Sequence, residues 1–331
     1  MKAIVMTATG DPSVLEPVEL PEPELRTPSD IKVRLHAAGV NPIDTKVRRR
    51  GLFYPDACPA ILGCDGAGVV VAKGSAVDRF GIGDRVWFCN GGLGADPGNY
   101  AEYTVLDQRW AAALPEQIDF EQAAAAPLVL ITAWGALYDR ARLSAGQTAL
   151  IHAGAGGVGH VAIPLANLRG ARVLTTVGSD DKRLLARGCG ADELIDYRSA
   201  DFVQATNALT GGAGAEAVFD TVGPDVFRKS IDCTAHFGDL VTLLDPGQLS
   251  LQEARMRNLR IGFELMLTPM LRELPAARAH HVEILDQCGA WMNANRLRVH
   301  VSDVLPLARA AEAHEAVETG HTVGKIVLRI A

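Results

Sequence analysis

The sequence predicts an α/β protein in which a doubly wound parallel sheet is inserted into a β-rich domain. Three observations carry the prediction. An apolar run at 149–151 leads into Ala153-Gly154-Ala155-Gly156-Gly157-Val158-Gly159, and apolar Val161-Ala162-Ile163 then opens a helix. From there to about Phe263 short apolar runs alternate with helical patterns, the mark of parallel strands with helices on both faces. Before about Phe120 the chain is strand-rich and turn-rich, and strand-like segments return near its end.

Taken in order, residues 4–6, 31–35, 68–71, 84–88 and 100–105 read as strands, punctuated by Gly81-Ile82-Gly83-Asp84 and Gly91-Gly92-Leu93-Gly94. Pro12, Pro17, Pro21, Pro23 and Pro28 lack the N–H a central strand needs and confine their segment to an edge. An alanine-rich helix over 122–134 marks the break to the next domain. Gly154, Gly156 and Gly159 then fit the G-x-G-x-x-G spacing of a Rossmann-type dinucleotide site. The first glycine supports a tight turn, the second lets backbone approach a pyrophosphate, and the third packs helix on strand. Free N–H groups at the helix start, from Gly157 and Val158 onward, suit phosphate. Strand before and helix after give the motif the context it requires.

Strands follow at 172–177, 193–196, 217–220, 240–244 and 259–263, with a short helix at 180–187. Beyond Met270 come a helix over 275–293, a strand at 299–301, a helix over 307–318 and a strand at 325–330. These late strands are expected to return to the first domain. The expected division is a β-rich domain of 1–122 and 270–331 around a cofactor-binding domain of 123–269.

The 331 residues are enough for two cores. A net charge of −7 speaks against a broad nucleic-acid surface. No signal peptide or transmembrane run is visible, and six scattered cysteines suit a reduced, cytoplasmic chain. The basic cluster of Lys46, Arg48, Arg49 and Arg50 reads as a solvated helix end, with a rim that draws in acidic substrates as the alternative.

The segments Ala38-Gly-Val-Asn-Pro-Ile-Asp44, Leu62-Gly-Cys-Asp-Gly-Ala-Gly-Val69, Gly81-Ile-Gly-Asp-Arg-Val86, Gly98-Asn-Tyr-Ala-Glu-Tyr103 and Gly324-Lys-Ile-Val-Leu328, with the glycine turn, resemble the medium-chain dehydrogenase/reductase superfamily. The resemblance covers essentially the whole chain and points to the zinc-free, ζ-crystallin-like quinone oxidoreductase branch. It implies a GroES-like catalytic domain around the Rossmann-type sheet. Zinc-dependent relatives carry a cysteine where this chain has Asn41, Gly-His-Glu at Gly63-Cys64-Asp65, and a third cysteine at Leu128. A catalytic zinc needs three protein ligands, so no metal is expected. The segment 90–98 lacks the four cysteines of the structural zinc. Cys64 reads as a packing residue, and His36, His152 and His160 as satisfied by packing and backbone.

NAD-specific folds place an acid at the tip of the second strand. Here the tip is Gly178-Ser179, followed by Lys182 and Arg183, with Tyr197 further on. The resembling branch uses a serine or threonine, a lysine and a tyrosine in these places, so NADPH is the expected cofactor, held by Ser179, Lys182 and Tyr197; NADH through Asp180 is the alternative. Ser179 with Asp180 and Asp181 also reads as an ordinary helix N-cap. The expected chemistry is hydride transfer to a quinone or enone, whose conjugation spreads the charge a metal would otherwise stabilise. Asn41 and Thr132 are expected near the nicotinamide. Tyr54 is expected as a donor to a substrate carbonyl, and Asp44 as the residue that orients the Asn41-Pro42 turn. An enoyl thioester reductase using the 46–50 cations, and an NADPH-binding protein with a structural or RNA-binding role, stay open. The apolar strand at 259–263 is expected to pair across a two-fold axis as a homodimer, with Arg260 and Glu264 reaching the partner.

Overall fold

The computed structural model describes residues 1–54 and 57–331. The chain forms two compact units, Met1–Leu128 with Leu267–Ala331, and Val129–Met266.

The second unit holds a six-stranded sheet in the order Glu193–Asp196, Arg172–Val177, Thr148–Ile151, Ala215–Asp220, Thr234–Thr242, Arg260–Phe263. All its pairings are parallel. Chain order reverses direction at Thr148–Ile151, the switch point at which such sheets bind ligands. One core layer gathers Leu150, Leu174, Val218, Leu240, Phe227 and Ile231. Strands Arg172–Val177 and Glu193–Asp196 lie where the β-branched runs place them. The strand expected at 240–244 is instead Thr234–Thr242. It begins early through a bulge against Ala215 and Ala217, and Phe237 beside that bulge takes φ 64.

The first unit holds a mostly antiparallel sheet in the order Val301–Pro306, Lys325–Arg329, Asp30–Val40, Asp65–Lys73, Arg85–Cys89, Ala112–Ala113, with Tyr103–Asp107 also on Asp30–Val40. The late strands do return here. The strand expected at 299–301 starts only at Val301, because its partner Lys325–Arg329 starts opposite it. Leu15–Glu19 forms an unforeseen edge strand of a second sheet, Leu15–Glu19, Lys2–Met6, Ala60–Ile61, and carries Pro17 there. The Pro275–Asn293 helix packs Gly289 against Trp87 and Arg278 over Trp110.

The alanine-rich helix is broken into Phe120–Ala125 and Pro127–Trp134 and continues as a π-helix over Gly135–Arg140. Pro127 supplies the break, since it has no N–H to continue the ladder. Gly135 lets the buried Glu264 carboxyl approach to 2.6 Å of where a Cβ would stand. Among the described residues no helix is long and apolar enough to cross a membrane.

His152 closes the Thr148–Ile151 strand and is spanned by Thr176 Oγ1 at 3.3 Å and Ser230 Oγ at 3.0 Å. Burial pushes its imidazole down to about 3. The unfolded chain takes that proton near pH 6.5, so the stability present above that pH is lost on acidification. Between pH 7 and pH 5 the loss from this one group is about 2 kcal/mol. Urea unfolding of wild type and His152→Gln at the two pH values is expected to show it as the difference between their slopes, since Asp44, Asp65 and Glu264, which burial pushes up, act in the opposite direction in both. His281 and His314, which burial pushes down to about 4 and about 3, retain their shares. A slope unchanged in the variant would show that His152 titrates normally in the fold.

Candidate active site

In the first unit, sheet register brings three strand ends together. Asn41 follows the Asp30–Val40 strand, Asp65 opens its neighbour opposite Gly39, and Lys325 opens the last strand one residue before Ile326, which faces Val40. Gly39 makes the approach possible. A Cβ there would stand 2.2 Å from Ala124 O and 3.1 Å from Asp65 Cβ. Lys325 is 3% exposed, and its ammonium donates to Val40 O at 2.9 Å and to Asn41 Oδ1. Asn41 Nδ2 donates to Asp65 Oδ2 at 2.9 Å, and the Leu128 amide donates to Asp65 Oδ1 at 2.9 Å.

Asn41 is also the N-cap of the Pro42–Arg50 helix, and its N–H donates to Asp44 Oδ2 at 2.8 Å. Asp44 orients the turn as expected, through a capping box. Its Oδ2 also lies 3.1 Å from Tyr100 Oη, which stands 3.2 Å from His314 Nε2, while Asp44 Oδ1 has no partner among the described residues. Burial pushes the Asp44 carboxyl up to about 7 and that of Asp65 up to about 6. Burial also lowers Lys325, against the pull of both carboxylates. One ammonium thus faces two carboxyls, and Asp44, with a free oxygen, is the one that takes up a proton first. The Cys64 thiol is raised by its hydrogen bond to Cys89 and by burial.

The basic cluster is not a solvated end throughout. Arg48 is fully buried and reaches Glu318 Oε1 at 2.5 Å, because the Ala310–Glu318 helix packs on it. Arg49 and Arg50 are exposed. Tyr54 lies half-buried in a bend, its Cβ 3.5 Å from where a Cβ on Gly94 would stand.

The remaining expected site residues belong to the second unit. Thr132 is buried in the Pro127–Trp134 helix. The glycine turn begins at Ala153 with φ 52. A Cβ on Gly154 would strike Thr175 Oγ1 at 2.0 Å, and one on Gly159 would strike Ala153 O at 2.2 Å, whereas one on Gly156 would meet nothing nearer than 3.2 Å. Gly154 and Gly159 are therefore fixed by packing within the turn, and Gly156 leaves its backbone open to approach. The amides of Gly157 and Val158 have no acceptor among the described residues and precede the Gly159–Leu168 helix. His160 Nδ1, 2.9 Å from Gly156 O, braces the turn. These are the features a pyrophosphate cradle requires.

At the tip of the Arg172–Val177 strand, Ser179 caps the Asp180–Gly188 helix and accepts from the Lys182 amide at 3.4 Å. Tyr197 is half-exposed and lies over Gly178, where a Cβ would be 2.3 Å from its hydroxyl. Asp196 and Asp180 hold Arg183 at 2.8 and 3.7 Å. Lys182 is left outside any ion pair among the described residues. Asp180 is fully exposed.

The residues do not fit a catalytic zinc. Leu128 contributes a donor rather than a lone pair, and the Asn41 carbonyl is taken by an ammonium. Among the described residues no three His, Cys, Asp or Glu side chains are grouped to hold a metal ion. Sequence reasoning did not see Lys325 or His314 as members of this cluster. The available signal was a lysine opening the Lys325–Arg329 strand directly before the apolar Ile326-Val327-Leu328.

A family model for the alcohol dehydrogenase GroES-like domain matches residues 27–116, and one for zinc-binding dehydrogenases matches 189–328. The quinone oxidoreductase of Pseudomonas aeruginosa is 37% identical over 331 residues, covering 99% of each chain. A 2-haloacrylate reductase of Burkholderia sp is 31% identical over 341 residues, covering 99% of this chain and 98% of its own. The Escherichia coli quinone oxidoreductase complexed with NADPH superposes with a TM-score of 0.87 at 31% identity, covering 99% of this chain and all of that one. Fold and matches together define a medium-chain dehydrogenase/reductase, and within that superfamily the chain belongs to the quinone oxidoreductase branch. It is an oxidoreductase.

Purified protein is expected to carry no stoichiometric zinc and to keep its activity in chelator. One tightly held zinc per chain by metal analysis, with activity lost on its removal, would overturn the reading of Asn41 and Leu128.

Proposed function

We propose that the protein transfers a hydride from NADPH to a quinone or to the β-carbon of an enone without a metal. The observation that carries this reading is the network in which Lys325 joins Asn41, Asp65 and the Leu128 amide, Asn41 and Leu128 standing where zinc-dependent relatives carry cysteines. An isolated carbonyl reduced there would lack a Lewis acid, whereas a conjugated acceptor spreads the incoming charge and asks only for a hydrogen-bond donor. The quinone oxidoreductase and haloacrylate reductase relatives support acceptors of this kind. NADPH, when bound, supplies the hydride. Gly154, Gly156, Gly157, Val158 and Gly159 would cradle its pyrophosphate. Ser179, Lys182 and Tyr197 would receive the 2′-phosphate, with Lys182 outside any ion pair among the described residues. Asn41, Tyr54 and Thr132 remain the proposed catalytic groups. The enoyl thioester alternative loses its support at Arg48, which is buried against Glu318 and unable to meet a CoA phosphate. The free cysteines support a cytoplasmic setting.

A panel of quinones and enones followed by NADPH absorbance tests the acceptor; oxidation of NADPH with neither class would end this reading. For the cofactor, Lys182→Ala removes one charge-assisted contact worth about 1.5–3 kcal/mol. It is expected to weaken NADPH roughly tenfold to a hundredfold and leave NADH nearly unchanged. Equal weakening of both would place Lys182 in the fold rather than on the phosphate.

We also propose a homodimer through the Arg260–Phe263 edge. Among the described residues that strand pairs with Thr234–Thr242 alone, and Phe263 and Leu265 are 57% and 52% exposed. Arg260 and Glu264, expected to reach the partner, are held within this chain by Asp239 and Arg140. The Glu264 amide donates inward to Thr242 O, so by alternation the Ile261 and Phe263 amides face the open edge. Ile261→Pro is expected to give monomers in sedimentation. A folded variant that dimerises with unchanged affinity would reject this edge.

A further inference from the structure

We propose that Lys325 is a positioning residue for the reaction. By binding the Asn41 carbonyl it fixes the amide with its nitrogen toward Asp65, and the remaining N–H is the donor to the acceptor oxygen that gains charge during hydride transfer. The inference rests on the proposed reduction of a conjugated acceptor and adds the group that sets up the donor.

The orientation follows from what each neighbour can do. An ammonium has three donors and no acceptor, so the amide atom facing Lys325 must be the oxygen. An ionised carboxylate only accepts, so the atom facing Asp65 must be the nitrogen. Both neighbours dictate the same one of the two amide orientations that are otherwise hard to tell apart. Asp65 is itself held by the Leu128 amide, and Lys325 by Val40 O, so neither can swing to suit the other orientation. Asn41 is buried, so an acceptor must displace what covers the amide before its oxygen meets the remaining N–H. One proton of its Nδ2 is used by Asp65; no described residue accepts the other.

The ammonium also strengthens that donor. A cation on the carbonyl oxygen draws electron density from the amide nitrogen, and in a low-dielectric interior such chains polarise cooperatively. Negative charge on the acceptor oxygen would then be met by an N–H with a full positive charge one amide away. Lys325 is enclosed by the Val40 carbonyl and the Asn41 amide, and so its effect passes through Asn41.

Four variants test this: Lys325→Met, Lys325→Arg, Asn41→Ala, and Lys325→Met combined with Asn41→Ala. Because Met leaves Asp65 without its cation, Lys325→Met/Asp65→Asn is made in parallel to keep a folded comparison. Two readouts are taken. One is the side-chain amide resonance of Asn41, assigned by its loss in Asn41→Ala, which needs no turnover. The other is steady-state kinetics with a quinone, alongside NADPH affinity by fluorescence. The amide protons are expected downfield and exchange-protected in the native protein, and neither in Lys325→Met. Turnover is expected to fall roughly tenfold to a hundredfold with NADPH affinity unchanged, Lys325→Arg to recover part of it, and Lys325→Met to cost nothing further in the Asn41→Ala background. An Asn41 amide unaffected by Lys325→Met, or an equal additional loss in the Asn41→Ala background, would overturn the proposal. A native protein with the protected amide but no reduction of any quinone or enone would instead overturn the functional reading and leave the fixed amide standing.

Discussion

Lys325 is 3% exposed, and a buried ammonium must be surrounded by acceptors or lose its proton. Here the acceptors are a backbone carbonyl, an amide oxygen and, through that amide, a carboxylate. Much of the first unit is arranged to supply them. Asp30–Val40 must end at Asn41, its two neighbours must start at Asp65 and Lys325, and Gly39 must be small enough to let Ala124 close from above. Break any of these and a charge is stranded, which costs more than the pair itself contributes. The cluster is therefore better understood as a device for specifying geometry than as a source of stability.

The same logic separates the two units chemically. The first concentrates buried titratable groups, with Asp44 and Asp65 raised by burial around Lys325. The second offers, around a glycine turn, backbone amides and a lysine, Lys182, that is outside any ion pair among the described residues. Charge in the first is already neutralised from within and suits the stabilisation of a developing charge. Donors in the second are unspent and suit an anionic ligand.

Local signals read well from sequence, and distant ones did not. The Arg172–Val177 and Glu193–Asp196 strands, the Pro275–Asn293 helix and the glycine turn are each decided by residues within one element. Leu15–Glu19 was not picked out as a strand because Leu15 and Val18 are its only apolar side chains besides Pro17, though its edge position is the one the prolines require. Val301–Pro306 escaped because exposed Ser302 and Asp303 break the apolar pattern. The burial of Arg48 and the placing of Lys325 depend on partners 270 and 284 residues away, and no local pattern encodes such a pairing. At the site, Asn41, Asp65 and Leu128 were recognisable singly; that they are joined into one network by a lysine was not.

The split of the first unit has a consequence for synthesis. Val129–Met266 is one continuous stretch and has all its strands once residue 266 is made. The first unit lacks a central strand until Lys325–Arg329 emerges. Domains tend to fold in the order they leave the ribosome, yet this one begins first and finishes last. Throughout that interval Asp65 has no cation to meet, and the edge of Asp30–Val40 that later receives Lys325–Arg329 is bare. It is in that interval, rather than in the finished molecule, that the longest strand of the first unit is open to the wrong neighbour.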